Sequence, residues 1–183
     1  VFPLGPTGYG DSPYQCFSAF AGNPYLISPD DLFADGLLTQ ADLDAMKDLP
    51  ASRVDFGLFI PKKLDLLQRA FVRFQSNPEN LREAFDYFCA QNTSWLDDFA
   101  LFMALKEANG GGAWNGWPEA LRSRKKTALT KARKELAESI ERYSFYQFLF
   151  FRQWNKVRAY AKEHGIQVIG DIPIFVAYDS ADV

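Results

Sequence analysis

The chain has few of the side chains that build metal centres and disulfide frameworks. Its 183 residues include one histidine, His164, and two cysteines, Cys16 and Cys89, none of them at zinc-site spacing. We therefore expect no metal site. Two isolated cysteines are also more typical of a reduced, cytoplasmic protein than of a disulfide-bonded one.

Long apolar runs and a strong excess of one charge are missing too. No stretch of about 18 apolar residues occurs, so we expect no membrane-spanning helix, and no signal peptide is recognisable. The net charge is −3, which does not favour binding to nucleic acid or to an acidic membrane. A basic run at residues 122–134 is followed by glutamates at helical spacing, which indicates a solvated helix face.

Aromatic residues, in contrast, are abundant, at 16% of the chain. Within residues 3–27, four glycines and four prolines oppose a regular helix. Between them stand five rings, Tyr9, Tyr14, Phe17, Phe20 and Tyr25. An irregular loop that presents rings and small polar groups suits a sugar, whose faces are C–H and whose rim is hydroxyl.

Helical patterns dominate the chain after this loop. Capping residues and apolar spacing predict helices over residues 29–35, 39–48, 58–74, from Asn77-Pro78 onward, 94–108 and 123–164. Strand-like patterns occur at residues 1–4 and 166–169, and a helix that returns to a strand is typical of a parallel sheet. We therefore predict a helix-rich α/β chain with a large helical insertion between two neighbouring parallel strands.

This order divides the chain into three parts. We predict a strand end and substrate loop at residues 1–28, a helical insertion subdomain at 29–122, and a crossover helix with the next strand at 123–183. The chain starts and stops inside apolar strand-like segments, whose edges need neighbours. We therefore expect a segment of a longer enzyme.

Asp171 is the most informative candidate for chemistry. It follows the apolar segment 166–169, and in a (β/α)₈ barrel a polar residue at the carboxyl end of a strand faces the active site. A carboxylate there can orient sugar hydroxyls or support a cationic transition state. The alternative is an aspartate that caps backbone amides or pairs with an arginine. If both segments end at one rim, Tyr14 and Asp171 line one pocket, with side chains within about 15 Å.

The other candidates each have a simpler structural explanation. Tyr9 and Tyr14 either contact ligand or pack the loop onto the barrel rim. Asp11 and Ser12 either contact ligand or hold turns, which is the usual role of these residues in glycine- and proline-rich loops.

Two further patterns point only weakly to a function. The glycines of residues 5–10 are a poor match to a phosphate-binding loop, because no Gly-Lys-Ser/Thr follows them. Trp114 and Trp117 fit a sugar platform, and they fit packing in a core or an interface at least as well.

Several motifs together resemble the amylomaltase family, the bacterial 4-α-glucanotransferases. They are PLGPTGYGDSPYQ at residues 3–15, FSAFAGNPY at 17–25, FALFMALK at 99–106, WNGWP at 114–118, FFRQW at 150–154 and GDIPIFVAYDSAD at 170–182. The resemblance implies part of a (β/α)₈ TIM barrel of the α-amylase clan with helical insertions. It also implies transfer of an α-1,4-glucan segment to the 4-hydroxyl of glucose or another glucan, with no cofactor.

The resemblance extends to single positions. Tyr14 corresponds to the family's tyrosine at the glucose preceding the cleaved bond, and Asp171 to the aspartate that orients sugar at the same site. Tyr9 corresponds to a tyrosine that some members use in a secondary glucan groove. The second aromatic of that groove corresponds to Ile60 here, which departs from the family pattern.

The family's catalytic carboxylates have no counterpart in this chain. Neither the Arg-Ile-Asp-His-like motif of the nucleophile nor the Gly-Glu-Asp-Leu-Gly-like motif of the acid/base occurs. Retaining chemistry needs two carboxylates about 5 Å apart, so we expect this chain to hold part of a sugar cradle and to be inactive alone. The expected partners are α-1,4-glucans, maltooligosaccharides and glucose as acceptor.

Two alternatives stay open beside this interpretation. One is a non-catalytic helical module for carbohydrate binding or protein interaction. The other is an α-1,4-glucan hydrolase of the same clan, which product analysis separates from a transferase.

Overall fold

The computed structural model describes residues 1–77, 79 and 81–183, and for Tyr9 it describes the backbone alone. The helices of this described part are α1 Pro29–Ala34, α2 Gln40–Asp44, α3 Phe56–Ser76, α4 Arg82–Gln91, α5 Thr93–Ala108, α6 Glu119–Arg122, α7 Lys126–Glu135 and α8 Ala137–Glu163. Single 3₁₀ turns occur at Tyr9–Asp11, Pro24–Leu26 and Trp114–Gly116. The predicted helix-rich character is confirmed. The helix start predicted at Pro78 lies outside the described residues.

Helix starts follow the capping chemistry visible in the sequence. Ser28 caps α1 by accepting a hydrogen bond at 3.3 Å from a backbone N–H of its first turn. Thr39 and Asp42 form a reciprocal capping box at the start of α2. This helix ends at Asp44 instead of continuing to residue 48, because the following residues form turns with shorter-range i→i+3 hydrogen bonds.

The central helix is α8, which contacts α3, α4, α5 and α7. Its middle buries a cluster of phenylalanine rings. Phe145 stacks on Phe74 at a centroid distance of 4.4 Å, and Phe71, Phe85 and Phe148 surround it. These rings belong to the larger apolar cluster, in which they pack with leucines such as Leu32 and Leu67, and their burial stabilises the fold.

The helix predicted over residues 123–164 is interrupted. The backbone leaves helical geometry at Leu136, with φ −107° and ψ 20°, between α7 and α8. Ala132 of α7 is buried in a second apolar cluster with Phe102 and Trp117, and Leu136 packs against the same cluster. Leu129 of α7 packs on the same cluster, so the helix is interrupted where its apolar side meets that cluster.

The strand ladder predicted between residues 1–4 and 166–169 is absent from the described residues. A single antiparallel bridge between Thr7 and Cys16 is the β-type contact found in that part of the chain. The two segments are nevertheless neighbours, since the backbone nitrogen of Val1 lies 2.7 Å from the carbonyl oxygen of Ile169. An isolated pair of short strands is only marginally stable. Only the neighbourhood of the two segments is therefore confirmed, and not their pairing as strands.

Candidate functional site

The loop that carries Tyr14 is closed at its base by backbone contacts. The N–H of Phe17 donates to the carbonyl of Pro6 at 2.9 Å. At Gly5 the backbone passes so close to Cys16 that a Cβ would lie 2.8 Å from the Cβ of that cysteine. Only glycine fits this position without a shift of the loop.

The far end of this loop is fixed to α8 through Gln147. The buried Gln147 side chain accepts a hydrogen bond from the N–H of Gly22 at 2.7 Å and donates one to its carbonyl at 2.9 Å. A Cβ on Gly22 would overlap the ring of Phe150. Sequence reasoning missed Gln147, although a glutamine inside the apolar run of residues 145–151 was an available signal.

The phenol of Tyr14 donates a hydrogen bond to Oδ2 of Asp171 at 2.9 Å. This contact confirms the predicted proximity of two residues that are 157 positions apart. Tyr14 is 44% exposed, and Asp171 is exposed as well. The pKa of Tyr14 is raised by this hydrogen bond, and further by desolvation and by the charge of Asp171. The phenol therefore stays protonated at neutral pH and remains a donor.

Tyr14 and Asp171 line two adjoining clefts and not one pocket. Tyr14 lines a cleft of about 640 Å³ together with Phe17 and residues 174–179. Asp171 lines a smaller cleft of about 270 Å³, with Trp154 among its walls. The predicted pocket is thus divided by the bonded pair, whose two side chains meet at one point between the clefts. A phenol and a carboxylate beside apolar walls match the hydroxyl rim and C–H faces of a sugar.

The other predicted loop residues support turns. Asp11 accepts a hydrogen bond from the hydroxyl of Thr7 at 3.4 Å, and its φ of 53° lies in the left-handed region. Ser12 accepts one from the N–H of Tyr14 at 3.3 Å. These contacts agree with the turn-holding explanation, and ligand contact by Asp11 and Ser12 stays a prediction. The side chain of Tyr9 lies outside the described residues, so its role stays a prediction too.

A third cleft, of about 670 Å³, lies beside the same loop. Among its described lining residues are the rings of Tyr25, Phe56 and Phe59, and Ile60 is not one of them. Tyr25 and Phe59 meet edge to face with centroids 6.3 Å apart. In the sequence analysis, only Ile60 was considered as the second aromatic position of the secondary groove. Two aromatic side chains of α3 that line this cleft, Phe56 and Phe59, were therefore missed.

The two tryptophans of residues 114–118 make packing contacts. Trp117 is buried in the second apolar cluster, and its Nε1 donates to the carbonyl of Gly112 at 3.1 Å. The indole of Trp114 lies 5.3 Å from the ring of Tyr178 and donates to its backbone carbonyl at 2.7 Å. The packing explanation is confirmed for Trp117, whereas Trp114 is only half-buried and its role as a sugar platform stays a prediction.

Residues 178–182, which we call the anchor segment, attach the chain after Asp171 to the Tyr14 loop. The carboxylate of Asp182 accepts hydrogen bonds from the hydroxyl of Ser18 at 2.8 Å and from the N–H of Ala19 at 2.7 Å. Sequence reasoning missed this contact, because an aspartate that pairs with residues more than 160 positions away leaves no local pattern.

Side chains of the basic run and His164 contact other protein groups. Arg124 of the basic run makes two contacts of 3.0 Å with Asp98, and His164 lies 2.9 Å from the carbonyl of Tyr160. Across the described residues, no group of three or more His, Cys, Asp or Glu side chains could hold a metal ion. No helix in that same part of the chain has the length and apolarity to cross a membrane.

Known proteins match the chain over its whole length. A family model described as 4-alpha-glucanotransferase matches residues 1–183. The 4-alpha-glucanotransferase of Thermus thermophilus is 52% identical over 185 residues, and that of Synechocystis sp. is 44% identical over 184 residues. Both alignments cover 100% of this chain and 36% of the relative. The chain thus spans about a third of the length of these relatives.

A solved structure resembles the fold as well. The amylomaltase from Streptococcus agalactiae, in complex with acarbose, superposes with a TM-score of 0.89 at 36% sequence identity. The match covers 100% of this chain and 37% of that protein. The helical arrangement described above is therefore the arrangement of a known enzyme fold over about a third of its length.

Proposed function

The chain belongs to the 4-alpha-glucanotransferase family, and from this premise we propose that it acts as a segment of a longer enzyme. That enzyme moves an α-1,4-glucan segment onto the 4-hydroxyl of glucose or of another glucan. The reaction is retaining: a carboxylate displaces the leaving glucan, and the acceptor hydroxyl then displaces the carboxylate. Maltooligosaccharides are the donors, and glucose or a glucan is the acceptor.

The segment contributes part of a (β/α)₈ barrel in this proposal. Residues 1–28 supply a strand end and the substrate loop, residues 29–122 a helical insertion, and residues 123–183 a crossover helix and the next strand. The contact between Val1 and Ile169 supports neighbouring strand positions. The exposed apolar side chains around Ile174 support further strands packing there.

The single observation that carries the proposal is the Tyr14–Asp171 hydrogen bond at 2.9 Å. It joins the loop that carries the motif at residues 3–15 to the segment that carries the motif at residues 170–182. In our proposal the Tyr14 ring lies under the glucose that precedes the cleaved bond, and Asp171 orients the hydroxyls of that glucose. Both side chains are accessible, as a sugar-contacting pair must be.

The segment holds part of the sugar cradle without the reacting carboxylates. The motifs for the nucleophile and the acid/base do not occur in the sequence, and the retaining reaction needs both groups about 5 Å apart. We therefore propose that the 183-residue chain alone does not turn over maltotriose. Aromatic walls that hold the acceptor and exclude water favour transfer over hydrolysis in the longer enzyme.

Product analysis on maltotriose tests the proposal. The full-length protein is expected to give glucose together with longer glucans, and the 183-residue chain is expected to give neither. Reducing sugar without longer glucans would identify a hydrolase instead. Turnover by the 183-residue chain would refute the assignment of the reacting carboxylates to the rest of the protein.

A further inference from the structure

Lys106 lies where the base of the Tyr14 loop meets the anchor segment. It belongs to α5, and only 7% of its surface is exposed. Its Nζ donates to Oδ2 of Asp179 at 2.5 Å and to the carbonyl of Gly112 at 3.3 Å. The same Nζ lies 4.9 Å from the centre of the Phe17 ring. One buried cation therefore contacts both the base of the Tyr14 loop and the anchor segment.

The anchor segment has further fixed points beside this ion pair. The second carboxylate oxygen of Asp179 accepts a hydrogen bond from the N–H of Trp114 at 3.2 Å. The N–H of Ala181 donates to the carbonyl of Phe17 at 2.8 Å. Together with the Asp182 contacts, these bonds join the anchor segment to its surroundings, and among them the Lys106–Asp179 contact is the one with a charge on both partners.

The Tyr14–Asp171 pair, in contrast, is held by exposed, local contacts: the N–H of Ile172 donates to Oδ1 of Asp171 at 2.9 Å, and the ring of Phe2 meets that of Tyr14 edge to face at 6.4 Å. Both side chains are exposed, so water competes for their hydrogen bond. The residues after Asp171, such as Ile172, are also largely exposed. The pair is therefore placed by the backbone on its two sides: the Val1–Ile169 contact before Asp171 and the anchor segment after it.

We infer that Lys106 is a positioning residue for the sugar site, because its charge, shared between Phe17 and Asp179, holds Tyr14 and Asp171 within hydrogen-bonding distance. The inference rests on the proposed function in one respect, which is that the alignment of Tyr14 and Asp171 orients the glucose before the cleaved bond. The alignment itself can be measured without a substrate. A misplacement of about 1 Å at a reacting centre can cost roughly 100-fold in rate.

The variant Lys106→Met, made in the full-length protein, tests this role. Methionine keeps an aliphatic side chain beside Phe17 and removes the charge. We expect kcat for maltotriose transfer to fall about tenfold while KM changes little, because the lost alignment acts in the transition state. Labelling with ¹³C at the tyrosine ring carbon that bears the hydroxyl reports the pKa of Tyr14 by NMR, with Tyr14→Phe assigning its signal. That pKa is expected to fall toward its ordinary value of 10.0 as the bond to Asp171 loosens.

A double variant separates positioning from stability. Lys106→Met leaves the Asp179 carboxylate without its cation, which by itself can destabilise the fold. Lys106→Met with Asp179→Asn removes both charges, so we expect the melting temperature to recover. We expect kcat and the pKa of Tyr14 not to recover, since the contact between the Tyr14 loop and the anchor segment is still weakened. Recovery of kcat in the double variant would show a purely structural role and overturn the inference.

Lys62→Met is the matched control. Lys62 also pairs with an aspartate, since its Nζ lies 2.6 Å from Oδ1 of Asp48, and it contacts neither the loop nor the anchor segment. Its removal is expected to leave kcat and the pKa of Tyr14 unchanged. Wild-type values of both quantities in Lys106→Met would overturn the inference. A full-length protein without transfer activity would refute the proposed function, and the Tyr14 titration would then decide the role of Lys106 alone.

Discussion

The phenylalanine cluster at α8 and the segment 166–176 are both rich in apolar side chains, yet the first is buried and the second is exposed. Phe145 is completely buried, whereas Phe175 is 81% exposed and Ile174 is 89% exposed. The rings of the cluster come from α3, α4 and α8 and interlock, so each covers the others. Apolar content alone therefore does not mark a core, and an apolar run left exposed marks a surface for further packing.

The largest effect expected from this comparison is the loss of a core ring. Phe145→Ala removes a ring that touches several others, so the free energy of unfolding should fall by about 3–5 kcal/mol. Phe175→Ala in the 183-residue chain is the matched control, with an expected change within about 0.5 kcal/mol. Chemical denaturation followed by circular dichroism measures both. Equal losses in the two variants would contradict the contrast drawn between the two regions.

The variant Phe175→Ala also tests whether residues 166–176 are covered in the full-length protein. If further barrel strands pack on residues 166–176 there, Phe175→Ala should destabilise the full-length protein by about 2 kcal/mol or more. A negligible change in both forms would argue against the proposed covering of this segment.

An effect that depends on pH is expected from the buried Lys63, whose Nζ donates to the carbonyl of Ile27. Burial lowers the pKa of Lys63 from 10.5 to about 8, against the opposing charge of Asp30. Between about pH 8 and about pH 10.5 the unfolded state holds a proton that the folded state has lost, so stability rises with pH in this window. The full span corresponds to roughly 3 kcal/mol.

Urea unfolding at several pH values across this window checks the effect. Wild type should gain stability relative to Lys63→Met as the pH rises from about 8 to about 10, because other groups titrate equally in both proteins. Lys62→Met, at a partly exposed lysine on the same helix, should follow wild type. Parallel curves for wild type and Lys63→Met would contradict the depressed pKa.

The smallest stability effect concerns the contact between the loop and the core. Gly22→Ala places a methyl group against the Phe150 ring, and forcing the two apart should cost about 1–3 kcal/mol. Gly116→Ala adds the same methyl group where no atom lies within 4 Å, so its expected change is within about 0.5 kcal/mol. Thermal unfolding of both variants compares them. A stable Gly22→Ala protein would show that the loop is not held against α8.

The helices were predictable because their signals are local. Ser28 and Thr39 mark helix starts within a few residues, and the apolar spacing of residues 58–74 reveals the buried side of α3. The break at Leu136 was missed because its cause is tertiary: the burial of Ala132 in a distant cluster.

The candidate site was predictable only in part. The proximity of Tyr14 and Asp171 followed from the order of the segments that carry them, whereas the sugar-binding role proposed for them rests on the family resemblance. Gln147, Lys106 and Asp182 were missed, because each forms its hydrogen bond with a partner between 73 and 164 positions away in the sequence. A polar residue inside an apolar helix was the one visible hint for Gln147 and Lys106.

Transfer kinetics of Asp171→Asn in the full-length protein test the central claim most directly. Asparagine keeps the volume of Asp171 and removes the charge that we propose orients the glucose, so kcat/KM for maltotriose should fall about 10- to 100-fold. Tyr14→Ala, which removes the ring that we propose lies under the sugar, should lower it as well. Asp97→Asn, at an exposed aspartate on α5, controls for charge removal and should keep wild-type kinetics. A reduced kcat/KM with an unchanged circular dichroism spectrum is the predicted result, and wild-type kcat/KM in Asp171→Asn would contradict the account.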